Sequence, residues 1–265
     1  MSEETSGGGG VLGFFLGLVL AGGSYFGVTL AAGGSLTTAL IVGAVAGGIG
    51  AVYGTVALSK KTYAAGFFSM LGFFLDMTWS LLNTLAGLLV WIPACLITGA
   101  SFVTPNEDSR RSGTIVYSTN PRGGGFGATT IGTVIAGGWS AHEETHVWQA
   151  RIFGPPYMLA YIIALLLNML FRVITGKVQN VMKEAYHRIP FEDWAYWIEG
   201  TQSSDIEWGS WVLGFVLTAI YTAGLISIPV GIALGILPLW LAGLGVVIVY
   251  TLIRALVARG HANYT

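Results

Sequence analysis

Six apolar stretches, 11–31, 36–58, 65–100, 157–174, 209–227 and 229–257, approach or exceed the length that crosses a hydrocarbon core at a helical rise of 1.5 Å per residue. Lipid offers no water to the backbone, so such stretches span only as helices or closed barrels. The chain is 54% hydrophobic and 9% charged, with mean hydropathy +0.70. Soluble domains carry about a quarter charged residues. The expected fold class is a mainly α, polytopic membrane protein of about five to six membrane helices. A net charge of −1 gives no case for nucleic acid as a partner. The single cysteine, Cys95, has no internal disulfide partner and reads as a small core residue. The acidic, glycine-rich residues 1–10 lack the basic start of a secretory signal, so the first apolar segment is expected to stay as an anchor.

The chain divides by pattern. Residues 11–58 read as a transmembrane hairpin with glycines four apart, at Gly13/Gly17, Gly23/Gly27, Gly43/Gly47 and Gly50/Gly54. That spacing lets two backbones approach within lipid, first of all inside the hairpin, and it could also serve homo- or hetero-oligomer contacts. Residues 65–100 read as a long membrane helix that Pro93 bends, with Asp76, Trp79 and Asn83 at an interface or a polar interior. Residues 101–200 change character. Gly113–Tyr117 and Ala128–Ile135 are β-rich and flank a turn at Asn120-Pro121-Arg122-Gly123. A C-terminal pair of membrane helices fills 208–257, divided near Pro229.

The chemistry centres on His142-Glu143-Glu144-Thr145-His146, an H-E-x-x-H pattern with Ser140 as its expected N-cap. Positions i and i+4 share a helix face, so both imidazoles can reach one ion. Glu143 then stands beside the ion as the general base. A hydrolytic zinc site takes three protein ligands, and no third histidine follows in the metzincin spacing. A carboxylate from a second helix is the remaining route, with Glu184, Glu192, Asp193, Glu199, Asp205 and Glu207 as candidates. Glu192 is preferred because it opens a helix after Pro190, 46 residues past His146 (192 − 146). Tyr186 and His187 are candidate oxyanion donors, and Gln149, Thr130 and Thr133 candidate hydrogen-bonding or substrate-binding residues. Zinc, Zn2+, is the expected metal by ligand type, although an N/N/O set also suits other divalent ions.

His142-Glu143-x-x-His146-x-x-Gln149, then Gly154-Pro155-x-Tyr157, then Tyr186-His187-x-x-Pro190-Phe191-Glu192-x-x-Ala195 resembles a group of bacterial zincin-like, gluzincin-type membrane metallopeptidases. In that group a strand leads into H-E-x-x-H-x-x-Q, and a P-F-E-x-x-A or W-T-E-x-x-A block follows. The resemblance covers about residues 128–197. It implies His142, His146 and Glu192 as metal ligands and Glu143 as catalytic base. It also implies an edge strand around Thr130–Ile135 that pairs with an extended peptide. The function expected is an integral-membrane zinc metallopeptidase that hydrolyses peptide bonds by a metal-activated water. Its partners would be the bilayer and a peptide or membrane-protein substrate, and its location the bacterial inner membrane. The alternatives are a scaffold or assembly subunit with a structural or inactive metal site, and a channel or transporter built on the glycine-rich helices.

One tension follows from charge. Lys60-Lys61, the Arg172/Lys177/Lys183/Arg188 block and Arg254/Arg259 belong on one face by the distribution of positive charge. If 157–174 spans fully, the motif and Glu192 fall on opposite faces. The segment must then be re-entrant, or the Glu192 helix must dip back to membrane depth.

Overall fold

Gly13, Gly17 and Gly22 on the first helix meet Gly54, Gly50, Gly43 and Gly47 on the second, and the contact is backbone on backbone. A methyl group added at Gly17 would stand 1.9 Å from the Gly50 carbonyl oxygen, and one at Gly13 2.0 Å from that of Gly54. These helices are α1 (Gly7–Ala31) and α2 (Leu36–Ser59), and their turn is closed by Ser35, whose hydroxyl accepts from the Thr38 amide. The glycine pattern is consumed largely within the hairpin, although Gly23 and Gly27 face open space. The computed structural model describes residues 7–123, 127–200 and 211–257.

The chain forms two units, Met1–Pro155 and Pro156–Thr265. In the first, the 65–100 run is not one long helix. It is α3 (Phe67–Met77), then α4 (Leu81–Ala86), a π turn (Gly87–Trp91) and α5 (Ile92–Ile97), and the two limbs meet at 81°. The break at 78–80 has a cause in hydrogen bonding. Trp79, Ser80 and Asn83 turn their donors to backbone carbonyls more than 60 residues away instead of continuing the helix. Pro93 lies in the first turn of α5, two residues past the end of the π turn, where the amide proton that proline lacks is least missed.

After α6 (Glu107–Ser112) comes a small sheet of β1 (Ile115–Tyr117), β2 (Thr129–Ile131) and β3 (Val134–Ala136) in the order β1-β3-β2. β1 and β3 are parallel, and β2 and β3 antiparallel. The expected single run over 128–135 is therefore a two-residue hairpin. Gly132 turns it in the left-handed region (φ 59°), where a Cβ would stand 2.1 Å from the Asn83 carbonyl oxygen. The edge strand is Thr129–Ile131, and Ile135 lies on the central strand instead. β3 is buried throughout. Val134 and Ala136 join the core of Tyr53, Phe73, Met77, Trp91 and Cys95, while Ile135 packs with Val116 and Val147. Val147 belongs to α7 (Ala141–Phe153), which carries the motif.

The second unit holds α8 (Pro156–Ile174), α9 (Val181–His187), α10 (Pro190–Glu199), α11 (Trp211–Ala233) and α12 (Leu237–Val257). Pro229 does not divide the last two helices. It lies inside α11, and the turn comes at Gly235 (φ 68°), where Ile236 N–H closes onto the Gly231 carbonyl. Among the described residues, α1, α2, α8 and α11 are long and apolar enough to cross a membrane, and the bent α3 to α5 pair could add a fifth span.

Candidate metal centre

The motif helix is set by its two ends. Ser140 Oγ accepts from the Glu143 amide at 3.2 Å, so α7 begins one residue before His142. The C-terminal carbonyls that a helix leaves unpaired are met by side chains from the break in the 65–100 run. Ser80 Oγ donates to Ala150 O (2.9 Å), Asn83 Nδ2 to Ala150 O (3.0 Å) and Gly154 O (2.7 Å), and Trp79 Nε1 to Ile152 O (3.1 Å). Along its side α7 is pinned by a buried ion pair. Arg151 Nη2 lies 2.7 Å from Asp76 Oδ2, with both side chains fully buried, and Gly72 leaves the room that the guanidinium occupies.

The ion pair belongs to a chain of buried polar groups. Arg151 also donates to the carbonyls of Ser112 and Gly113. Tyr63 donates to Asp76 Oδ2 at 2.6 Å, Tyr53 and Tyr63 hydroxyls are 2.6 Å apart, and Tyr53 donates to Thr133 Oγ1 at 3.2 Å. Burial and then the Asp76 charge push the Tyr63 hydroxyl well above its ordinary value, so it stays a donor. Burial works against the Arg151 charge, but Asp76 and the hydrogen bonds outweigh it and hold Arg151 above its ordinary value. Thr133 is thus a member of this network.

On α7, His142 Nε2 and His146 Nε2 face each other at 3.1 Å, and both rings are buried. Two nitrogens each about 2.0–2.1 Å from one tetrahedral ion stand about 3.3 Å apart, so the spacing suits two ligands of one metal ion. His146 Nδ1 lies 2.8 Å from Gln149 Oε1. An amide oxygen only accepts, so that bond places the proton on Nδ1 and leaves the Nε2 lone pair for an ion. Glu143 is buried beside them, and Thr130 Oγ1 of the edge strand donates to its Oε2 at 2.6 Å. Glu144, half-buried, is pushed above the usual carboxylate range by burial, against the pull of Trp148, Arg111 and Arg151.

In the second unit, Glu192 sits in the first turn of α10 and is 1% exposed. Tyr161 of α8 donates to its Oε1. Phe191 packs edge-on against Tyr157 (5.0 Å between centroids) and stacks on Tyr161 (6.2 Å). Further along α8, Asn168 Nδ2 donates to Ala185 O of α9, and Arg172 pairs with Glu184 at 3.3 Å. These contacts run in order. α9 meets the last turns of α8, and α10 meets its first two turns. The chain therefore doubles back along α8, and Glu192 returns to the level where α8 began. α8 itself is one continuous helix.

Tyr186 and His187 stack edge-on at 5.6 Å, and His187 tilts against Tyr196 at 5.3 Å. Of the other carboxylate candidates, Glu184 is engaged by Arg172, Asp193 is buried beside Glu192 in sequence, and Glu199 is exposed. Asp205 and Glu207 lie outside the described residues. The sequence reading missed Arg151 and Tyr161. An arginine five residues past His146 in a chain with so few charges was the signal for the first. Tyr157 and Tyr161 one turn apart on an apolar helix were the signal for the second.

The chain matches no family model, no curated protein and no solved structure in comparisons with each.

Proposed function

We propose that the chain is an integral-membrane zinc metallopeptidase in which His142, His146 and Glu192 hold the metal. The observation that carries this reading is the facing pair of imidazole nitrogens at 3.1 Å with a buried glutamate on the residue between them. Glu192, a buried carboxylate in the first turn of α10, enters the set as the ligand that the family resemblance implies. Tyr161 donates to one oxygen of Glu192 and so orients the carboxylate.

Zinc bound there supplies an acidified water and a polarised scissile carbonyl. Glu143 takes the proton from the attacking water. With Oε2 engaged by Thr130, the proton lodges on Oε1 and passes from there to the departing amine. β2 is an edge of its sheet, and Thr130 links that edge directly to Glu143. An extended peptide paired along β2 would bring its backbone to the base, which favours a peptide over a small-molecule substrate. The bacterial inner membrane as the setting rests on the family resemblance alone.

The test is hydrolysis of unstructured peptide or of a membrane-protein segment by detergent-purified protein, with Glu143→Gln as control. The reading expects turnover in the wild type and loss of at least about a hundredfold in the variant with metal retained. Equal hydrolysis by both proteins, or none by the metal-loaded wild type over a broad substrate panel, would leave the site a structural one.

A further inference from the structure

The last turn of α8 opens on a small cleft of about 30 Å³, lined by none of the residues that hold Glu192. Arg172, Arg188, Tyr221, Tyr250 and Thr251 line it. Arg172 is 8% exposed, and its two charge-bearing bonds are long, 3.3 Å to Glu184 and 3.4 Å to Gln179 O. Its Nε is buried with no hydrogen-bond partner. A buried guanidinium nitrogen left unmatched is costly, because the donor has lost water and gained nothing. Tyr221 of α11 and Tyr250 of α12 stand side by side at 4.6 Å between ring centroids.

The surrounding sequence has a strong sign. Residues 172–188 carry four cations, Arg172, Lys177, Lys183 and Arg188, against one acid, Glu184, in a chain whose net charge is −1. This basic block follows an apolar helix of spanning length without interruption. Phe171, Val249 and Leu252 near the cleft in sequence are exposed apolar residues.

We propose that this cleft binds the phosphate of an anionic phospholipid headgroup. Guanidinium groups match phosphate oxygens with parallel N–H donors, and Arg172 has a donor to spare. A polybasic segment at the end of a membrane helix draws anionic lipid to that leaflet. The exposed apolar residues then lie against acyl chains. The site ties the end of α8 to α11 and α12, and Pro190, which also lines it, opens the helix that carries Glu192.

The experiment is native mass spectrometry of the full chain released from mixed micelles holding phosphatidylglycerol and phosphatidylcholine, with inorganic phosphate as a separate competitor. Wild type is expected to retain one phosphatidylglycerol at least about tenfold more tightly than phosphatidylcholine. Arg188→Gln, a half-buried position, is expected to lose about tenfold of that affinity, and Arg172→Gln at least as much. Should Arg172→Gln fail to fold, Arg188→Gln alone decides the question. Inorganic phosphate that displaces the lipid at millimolar concentration would keep the phosphate site and move its source to a free anion. Equal retention of both lipids, or retention unchanged in Arg188→Gln, would overturn the proposal. The assay needs neither metal nor turnover, so its outcome is independent of the peptidase reading.

Discussion

Arg151 and Asp76, 75 residues apart in sequence, form a fully buried ion pair at 2.7 Å that fixes the motif helix to α3. Taking both charges out of water is expensive, and the pair persists because Tyr63 and two backbone carbonyls complete its hydrogen bonding.

Removing one partner should therefore cost more than removing both. Asp76→Ala is expected to destabilise the protein by about 3–5 kcal/mol, because it strands a buried guanidinium. Asp76→Leu combined with Arg151→Met should recover much of that loss. Thermal unfolding in detergent measures both, and a double variant as unstable as Asp76→Ala would contradict the account.

Gln149 holds the His146 ring by its Nδ1 at 2.8 Å. Gln149→Leu keeps the volume but removes the acceptor, so the ring is free to turn and to change tautomer. Metal affinity is expected to fall by about 10–100-fold with the helix intact. Competition with a chromophoric chelator reads the affinity, and circular dichroism reads the helix. Unchanged affinity would show that Gln149 has no hold on the ligand.

Thr130 bears on Glu143 and not on the imidazoles, so its effect should be separable. Thr130→Val is expected to leave metal content unchanged while lowering peptide turnover about tenfold, as expected for one lost hydrogen bond to a charged group. A fall in metal content with turnover per bound metal unchanged would place Thr130 in the structure of the centre instead.

Those features that depend on neighbours within a turn were legible in the sequence. The i, i+4 histidines, the Ser140 cap, the Gly154 stop and the Pro190 start are all local, and each stands where its chemistry indicated. The glycine pairing of α1 and α2 was legible too, because the spacing itself carries it. The break at 78–80 was not, since Trp79, Ser80 and Asn83 find their partners at Ala150, Ile152 and Gly154. Pro229 misled for a related reason, because a membrane helix can absorb a proline while Gly235 supplies the left-handed turn that ends it. The fold of α10 back onto Tyr157 and Tyr161 of α8 was not legible either, since it rests on contacts about 30 residues apart in sequence.

Metal content per chain in protein purified without chelators, compared among wild type, His146→Ala and Glu192→Ala, tests the central claim most directly. The account predicts about one zinc in the wild type and loss of it in both variants, with Asp193→Asn retaining it. Zinc retained in Glu192→Ala, or none bound by the wild type, would contradict it.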